Sequence, residues 1–88
     1  MYSTIEEIRT ANRKKGDKWF DDSSMRFFTT VIVSGVIKGK YFITSEVNPS
    51  GVKKYSVRMA ESDGKVITVG RFHSYDTEKK AREAINDL

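Results

Sequence analysis

The chain predicts an α+β fold: a three- or four-stranded antiparallel meander packed against an N-terminal and a C-terminal helix. Three observations carry this. Apolar and polar residues alternate through 41–47, 52–60 and 66–69, the period of half-buried strands. Asn48-Pro49-Ser50-Gly51 and Asp63-Gly64 separate these runs with turn chemistry. Helix-period apolar stripes flank the block, Ile5 and Ile8 before it and Ala81, Ala84, Ile85 and Leu88 after it.

In chain order, Met1 to Lys15 reads as the first helix. Thr4 with Glu7 forms a capping box, with Ser3 and Glu6 as an equal alternative. Glu6 and Glu7 lie early and Arg13, Lys14 and Lys15 late, which suits the helix dipole. Gly16 is the expected C-cap. The segment 17–28 carries Trp19, Phe20, Phe27 and Phe28, an aromatic group expected to pack over the sheet. Asp22 or Ser23 caps a short helix there that carries Met25 and Phe28 on one side. Residues 29–37 read two ways: Thr29 to Val33 are β-branched and favour a strand, while Met25, Phe28 and Ile32 fit a continuing helix.

Tyr41 to Val47 is a strand with Tyr41, Ile43 and Val47 on one face and Phe42, Thr44 and Glu46 on the other. The strand from Val52 to Ala60 places Tyr55, Val57 and Met59 inward and Lys54, Ser56 and Arg58 outward. Asp63-Gly64 is the expected centre of a two-residue hairpin loop. In the next strand Ile67 and Val69 face in, and Val66 and Thr68 face out. A bulge at Gly70 returns Phe72 to the core. Asp76 or Thr77 caps the last helix.

At 88 residues the chain is one domain. It has 32% charged and 38% hydrophobic residues, an ordinary balance with enough apolar material for a small core. The net charge of +4 favours an acidic partner, nucleic acid among them. The absence of cysteine excludes disulfides, thiolate metal sites and cysteine nucleophiles. The single histidine, His73, cannot form a histidine metal cluster, and it reads as a strand-end surface residue. Ser74 and Thr77 lie near it without an oxyanion motif. Asp21 and Asp22 read as helix-capping residues and Asp63 as a turn residue. Gly35 and Gly39 lack the Lys-Ser/Thr of a phosphate loop. No cofactor, metal or catalytic function is expected. No apolar run reaches a membrane span, the N-terminus reads as a polar helix rather than a signal peptide, and the expected location is the cytoplasm.

Two family resemblances add to this reading. The run Tyr55-Ser56-Val57-Arg58, Asp63-Gly64-Lys65, Val69-Gly70-Arg71-Phe72, Thr77-Glu78, Ala81 and Ala84 resembles the AP2-type and integrase arm-binding domains. Those domains place the outer face of a three-stranded sheet in the DNA major groove. The resemblance implies a contact face of Lys54, Ser56, Arg58, Thr68 and Arg71, with Lys40 and Thr44 at its margin. Across most of the chain, Ser24-Met25-Arg26-Phe27-Phe28 and Gly39-Lys40-Tyr41-Phe42-Ile43-Thr44-Ser45-Glu46 resemble a family of small phage and prophage proteins of unassigned function. This implies an accessory protein in the cytoplasm of a host cell.

Two functions are therefore expected. The first is binding of duplex DNA through the basic outward sheet face. The second is a protein–protein effector that inhibits a host enzyme or defence system, with an outward Phe42 as interface anchor. A contiguous basic face distinguishes the first. A mixed-charge face beside an exposed aromatic distinguishes the second, with Glu46 placed to neutralise Lys54.

Overall fold

The computed structural model describes residues 1–26 and 29–88. Its elements are α1 (Ile5–Lys15), α2 (Asp22–Arg26), β1 (Val31–Ile32), β2 (Tyr41–Val47), β3 (Lys53–Ala60), β4 (Val66–Val69) and α3 (Glu78–Asn86). The four strands form one antiparallel sheet in the order β1-β2-β3-β4. The α+β architecture with a helix from each end of the chain is the one the sequence predicts. Residues 29–37 resolve in favour of a strand, with Val31 and Ile32 paired to Ser45 and Thr44. The expected placement of Phe27 and Phe28 lies outside the described residues.

Local chemistry explains the helix ends. The Thr4 hydroxyl accepts from the Glu7 N–H at 3.2 Å, and the Glu7 carboxylate accepts from the Thr4 N–H at 3.0 Å. This capping box holds Thr4 in extended backbone, so α1 begins at Ile5 rather than at Met1. Gly16 ends it in the left-handed conformation. Thr77 caps α3 by accepting from the Lys80 N–H at 3.1 Å. At the other end of α3, Lys38 Nζ donates to the carbonyls of Ile85, Asn86 and Leu88 at 3.1–3.2 Å, supplying a cation where orphan carbonyls gather. Leu88 lies beyond the helix and is exposed, so the apolar stripe of α3 is shorter than the spacing suggests.

The sheet is covered on both faces. Tyr41, Ile43 and Val57 pack against Ala81 and Ile85 of α3. On the opposite face, Phe42, Ala60 and Val66 pack against Ile8 of α1 and Phe20. Trp19 completes this second core, its ring set edge-on to both Phe20 and Phe42. Phe42 is fully buried, so it is not the outward interface anchor expected from alternation. Val66, expected outward, is buried in the same layer. Alternation assigns a side chain to a face but does not say whether that face meets water, and here α1 and the 17–20 segment cover it.

Two polar links lock that covering in place. Asn12, fully buried, donates to Asp17 Oδ2 and to the Gly64 carbonyl at 2.8 Å each, and accepts from the Trp19 N–H at 3.0 Å. The β3–β4 hairpin closes with the Glu61 N–H on the Lys65 carbonyl at 2.8 Å. Its loop is therefore Ser62–Gly64, three residues rather than the expected two, with Gly64 at φ 96. A Cβ there would lie 2.4 Å from the Ala11 backbone, so the tip must be glycine to touch α1.

Candidate interaction face

The polar half of the second sheet face holds a closed network. Register pairs Glu46 with Lys54, Thr44 with Ser56, Phe42 with Arg58, and Arg58 with Thr68 across β2, β3 and β4. Side chains of one face on neighbouring strands lie within reach of each other. Arg58 uses that reach on three sides. Its Nε donates to Thr44 Oγ1 at 3.0 Å, Nη1 to Thr68 Oγ1, and Nη2 to Glu46 Oε2 at 3.2 Å. Ser56 Oγ donates to Glu46 Oε1 at 2.7 Å and accepts from the His73 N–H at 2.7 Å. The His73 ring completes the set, its Nε2 lying 2.8 Å from the Glu46 carbonyl. A carbonyl only accepts, so the ring carries its proton on Nε2.

This network is interior. The Glu46 side chain is 0% exposed and that of Arg58 is 7% exposed. Burial pushes the Arg58 guanidinium below its ordinary value, and the Glu46 carboxylate acts in the opposite direction. The guanidinium also lies 5.4 Å from the Trp19 ring centroid and 5.2 Å from that of Phe72. The segment 70–74 folds back over the network, turning at Gly70 and at His73, both with positive φ. Phe72 stacks on His73 and remains 43% exposed, so it does not return to the core as a simple bulge would have it.

The residues expected to form a DNA-contact face therefore separate into two sets. Thr44 and Ser56 are fully buried, Arg58 is 6% exposed, and Thr68 is half-buried on Arg58. Their polar groups point at one another rather than outward. Lys54 is half-buried and paired with Asp76 at 3.6 Å, and Lys80 shares that carboxylate at 3.7 Å. Lys40 and Arg71 are exposed, but they stand at opposite ends of the sheet: Lys40 beside Ala60, and Arg71 beyond Val69. The expected outward face is thus an inner, charge-balanced layer.

Sequence reasoning missed the partnership of Glu46 with Arg58 and the roles of Trp19, Phe72 and His73 around it. A signal was present: Thr44 and Glu46 on one strand face the hydrogen-bonding Ser56 and Arg58 on the next, once the 48–51 turn sets the register. Asn48 builds that turn by accepting from the N–H groups of Ser50 and Val52 at 3.1 and 3.0 Å. An open groove of about 460 Å³ beside Tyr2, Glu6, Thr10 and Lys14 shares no residue with the network. Among the described residues, no group of His, Cys, Asp and Glu side chains is placed to hold a metal ion, and no helix is long and apolar enough to cross a membrane.

Fold and face together define a small α+β domain with a sheet clad on both sides and a buried Arg–Glu pair at its polar end. The chain belongs to a family of unknown function, DUF7447, whose model matches residues 4–86. No curated protein and no solved structure matches it.

Proposed function

We propose that this domain is a non-catalytic accessory protein that acts by binding another protein, in the manner of a small phage-type effector that occupies a host enzyme or defence component. The observation that carries this reading is the burial of Arg58 against Glu46. The central cation of the sheet is neutralised within the fold, so it has no charge to offer a phosphate backbone. DNA affinity scales with the number of phosphates neutralised. Lys40 and Arg71, set at opposite ends of the sheet, form no contiguous stripe.

The surface beside the network suits a protein partner instead. Phe72 is 43% exposed on a segment anchored by His73, next to the exposed Arg71. Aromatic residues and arginine on a rigid support are the usual anchors of protein interfaces. His73 spends its ring N–H on a backbone carbonyl, which suits a structural rather than a proton-transfer role.

The test pairs affinity capture with fluorescence anisotropy on duplex DNA. The tagged domain should retain a stoichiometric protein from a host lysate, and Phe72→Ala or Arg71→Glu should weaken that binding by about tenfold or more. DNA binding should be undetectable at micromolar protein. Salt-dependent DNA binding lost on reversing Lys40 and Arg71, with no stoichiometric protein retained, would overturn the reading in favour of duplex DNA.

A further inference from the structure

The sheet ends in two unequal edges. At one side β1 has only two residues, and Val31 and Val33 turn their backbone groups toward β2. That leaves Ile32 alone facing outward. At the other side β4 is longer. Tyr55 exchanges backbone hydrogen bonds with Tyr75, and the Glu61 N–H bonds the Lys65 carbonyl, so the odd-numbered residues of β3 face β4. Ile67 and Val69 are their partners. Val66 and Thr68 therefore direct their N–H and C=O groups away from the sheet.

One of these outward groups is already used: the Val66 N–H donates to Asp17 Oδ2 at 3.3 Å. The Thr68 N–H, the Thr68 carbonyl and the Val66 carbonyl remain as the hydrogen-bonding row of the β4 edge. Such a row is complementary to an extended backbone. The exposed Lys65 and Arg71 stand at its two ends. Neither has an ion-pair partner among the described residues.

We propose, resting on the protein-binding reading above, that the partner adds an extended strand to the outer edge of β4 and carries acidic side chains at both ends of that strand. The charge at the ends selects this occupant over a second copy of the chain. Antiparallel pairing of two β4 strands about Thr68 brings the Lys65 end of each copy to the Arg71 end of the other, and like charges gathered at both ends of a strand pair are destabilising. An acidic-ended strand turns the same positions into attractive pairs. Asp17 acts as a guard, closing the end of the edge nearest the hairpin and leaving Thr68 as the central docking residue.

The probe is the blocked seven-residue peptide acetyl-Glu-Val-Val-Thr-Val-Val-Glu-amide, whose two Glu are spaced as Lys65 and Arg71 are about Thr68, added to the isotope-labelled full chain at millimolar concentration. Amide hydrogen exchange at Thr68 should slow by about tenfold or more at saturation, while exchange at Ile32 is unchanged. Reversing both Lys65→Glu and Arg71→Glu should abolish the effect and transfer it to the matching Lys-ended peptide. Chemical N-methylation of the Thr68 amide, which keeps its hydroxyl for Arg58, should also abolish binding. Unchanged Thr68 exchange, or equal protection by the Lys-ended peptide on the unaltered chain, would overturn the proposal. So would a homodimer that protects Thr68 without peptide. A captured protein partner that leaves Thr68 exchange unchanged refutes the edge assignment and leaves the protein-binding reading standing.

Discussion

Removing Glu46 should cost this domain much of its stability. In Glu46→Ala, Arg58 keeps its charge in a position where its side chain is 7% exposed, while its counter-charge is gone and Ser56 loses an acceptor. Breaking a buried pair from one side costs about 3–5 kcal/mol. A domain of this length holds about 4–13 kcal/mol in total. The single substitution therefore brings it near the unfolding threshold, with a fall in melting temperature of roughly 12–40 °C. The joint replacement Glu46→Leu with Arg58→Met removes both charges, and it should recover at least about 2 kcal/mol of the loss as coupling energy. The assay is urea unfolding by circular dichroism, at neutral pH, on Glu46→Ala, on Glu46→Leu and Arg58→Met singly, and on the double variant. Raising salt should leave the difference between Glu46→Ala and the unaltered chain nearly constant, since screening acts weakly on a desolvated pair. A loss below about 1 kcal/mol in Glu46→Ala, or a double variant no better than the sum of the singles, would refute the claim that the pair is interior and mutually dependent.

Two further outcomes follow from the hairpin tip. Gly64→Ala should destabilise the domain by more than Gly51→Ala. Both glycines have positive φ, at 96 and 85, and share a strain of about 1–2 kcal/mol. Only at Gly64 does the added methyl also meet α1 backbone, so the urea midpoint should fall further there. At the same tip, Lys15 Nζ lies 2.9 Å from Asp63 Oδ2 and holds the Asp63 carboxyl below its ordinary value, with help from the Lys65 N–H. Because that value is lowered in the folded state, the contribution is present above the unfolded carboxylate value and is lost as pH falls through the folded one. Lys15 is raised by Asp63, so its share is present below the ordinary lysine value and is lost as pH rises through the raised one. In Lys15→Ala, NMR titration should show the Asp63 midpoint move up, stopping short of the ordinary value because the Lys65 N–H remains. An unmoved midpoint would sink the pairing.

Much of the fold was legible because it rests on local rules. The Thr4–Glu7 capping box, the Gly16 end of α1, the Asn48 turn and the Thr77 cap each lie within a few residues of sequence. Each appears in the structure where those residues place it. The inward set Tyr55, Val57 and Met59 follows from strand alternation alone, and it meets α3 as expected. The hairpin loop is one residue longer than the sequence suggests because Asp63-Gly64 is compatible with either length. The choice was made by the Glu61–Lys65 closure and the approach of Gly64 to Ala11, contacts that join distant parts of the chain.

The other face departs from the alternation pattern's expectation for a physical reason that bears on function. Thr44, Glu46, Ser56, Arg58 and Thr68 look like a solvated surface, since polar residues on alternate strand positions usually meet water. Here they satisfy one another, and burial of such groups costs little once every strong donor and acceptor has a partner. Only a covering can make that arrangement interior, and the covering comes from Trp19 on one side and the 70–74 segment on the other. Both lie far in sequence from Glu46, so no local pattern announces them. The consequence reaches past the fold: a cation that reads as a DNA contact becomes the centre of a neutral core layer. On the reading proposed above, the surface that carries function shifts from the sheet's face to its β4 edge, at Thr68 between Lys65 and Arg71.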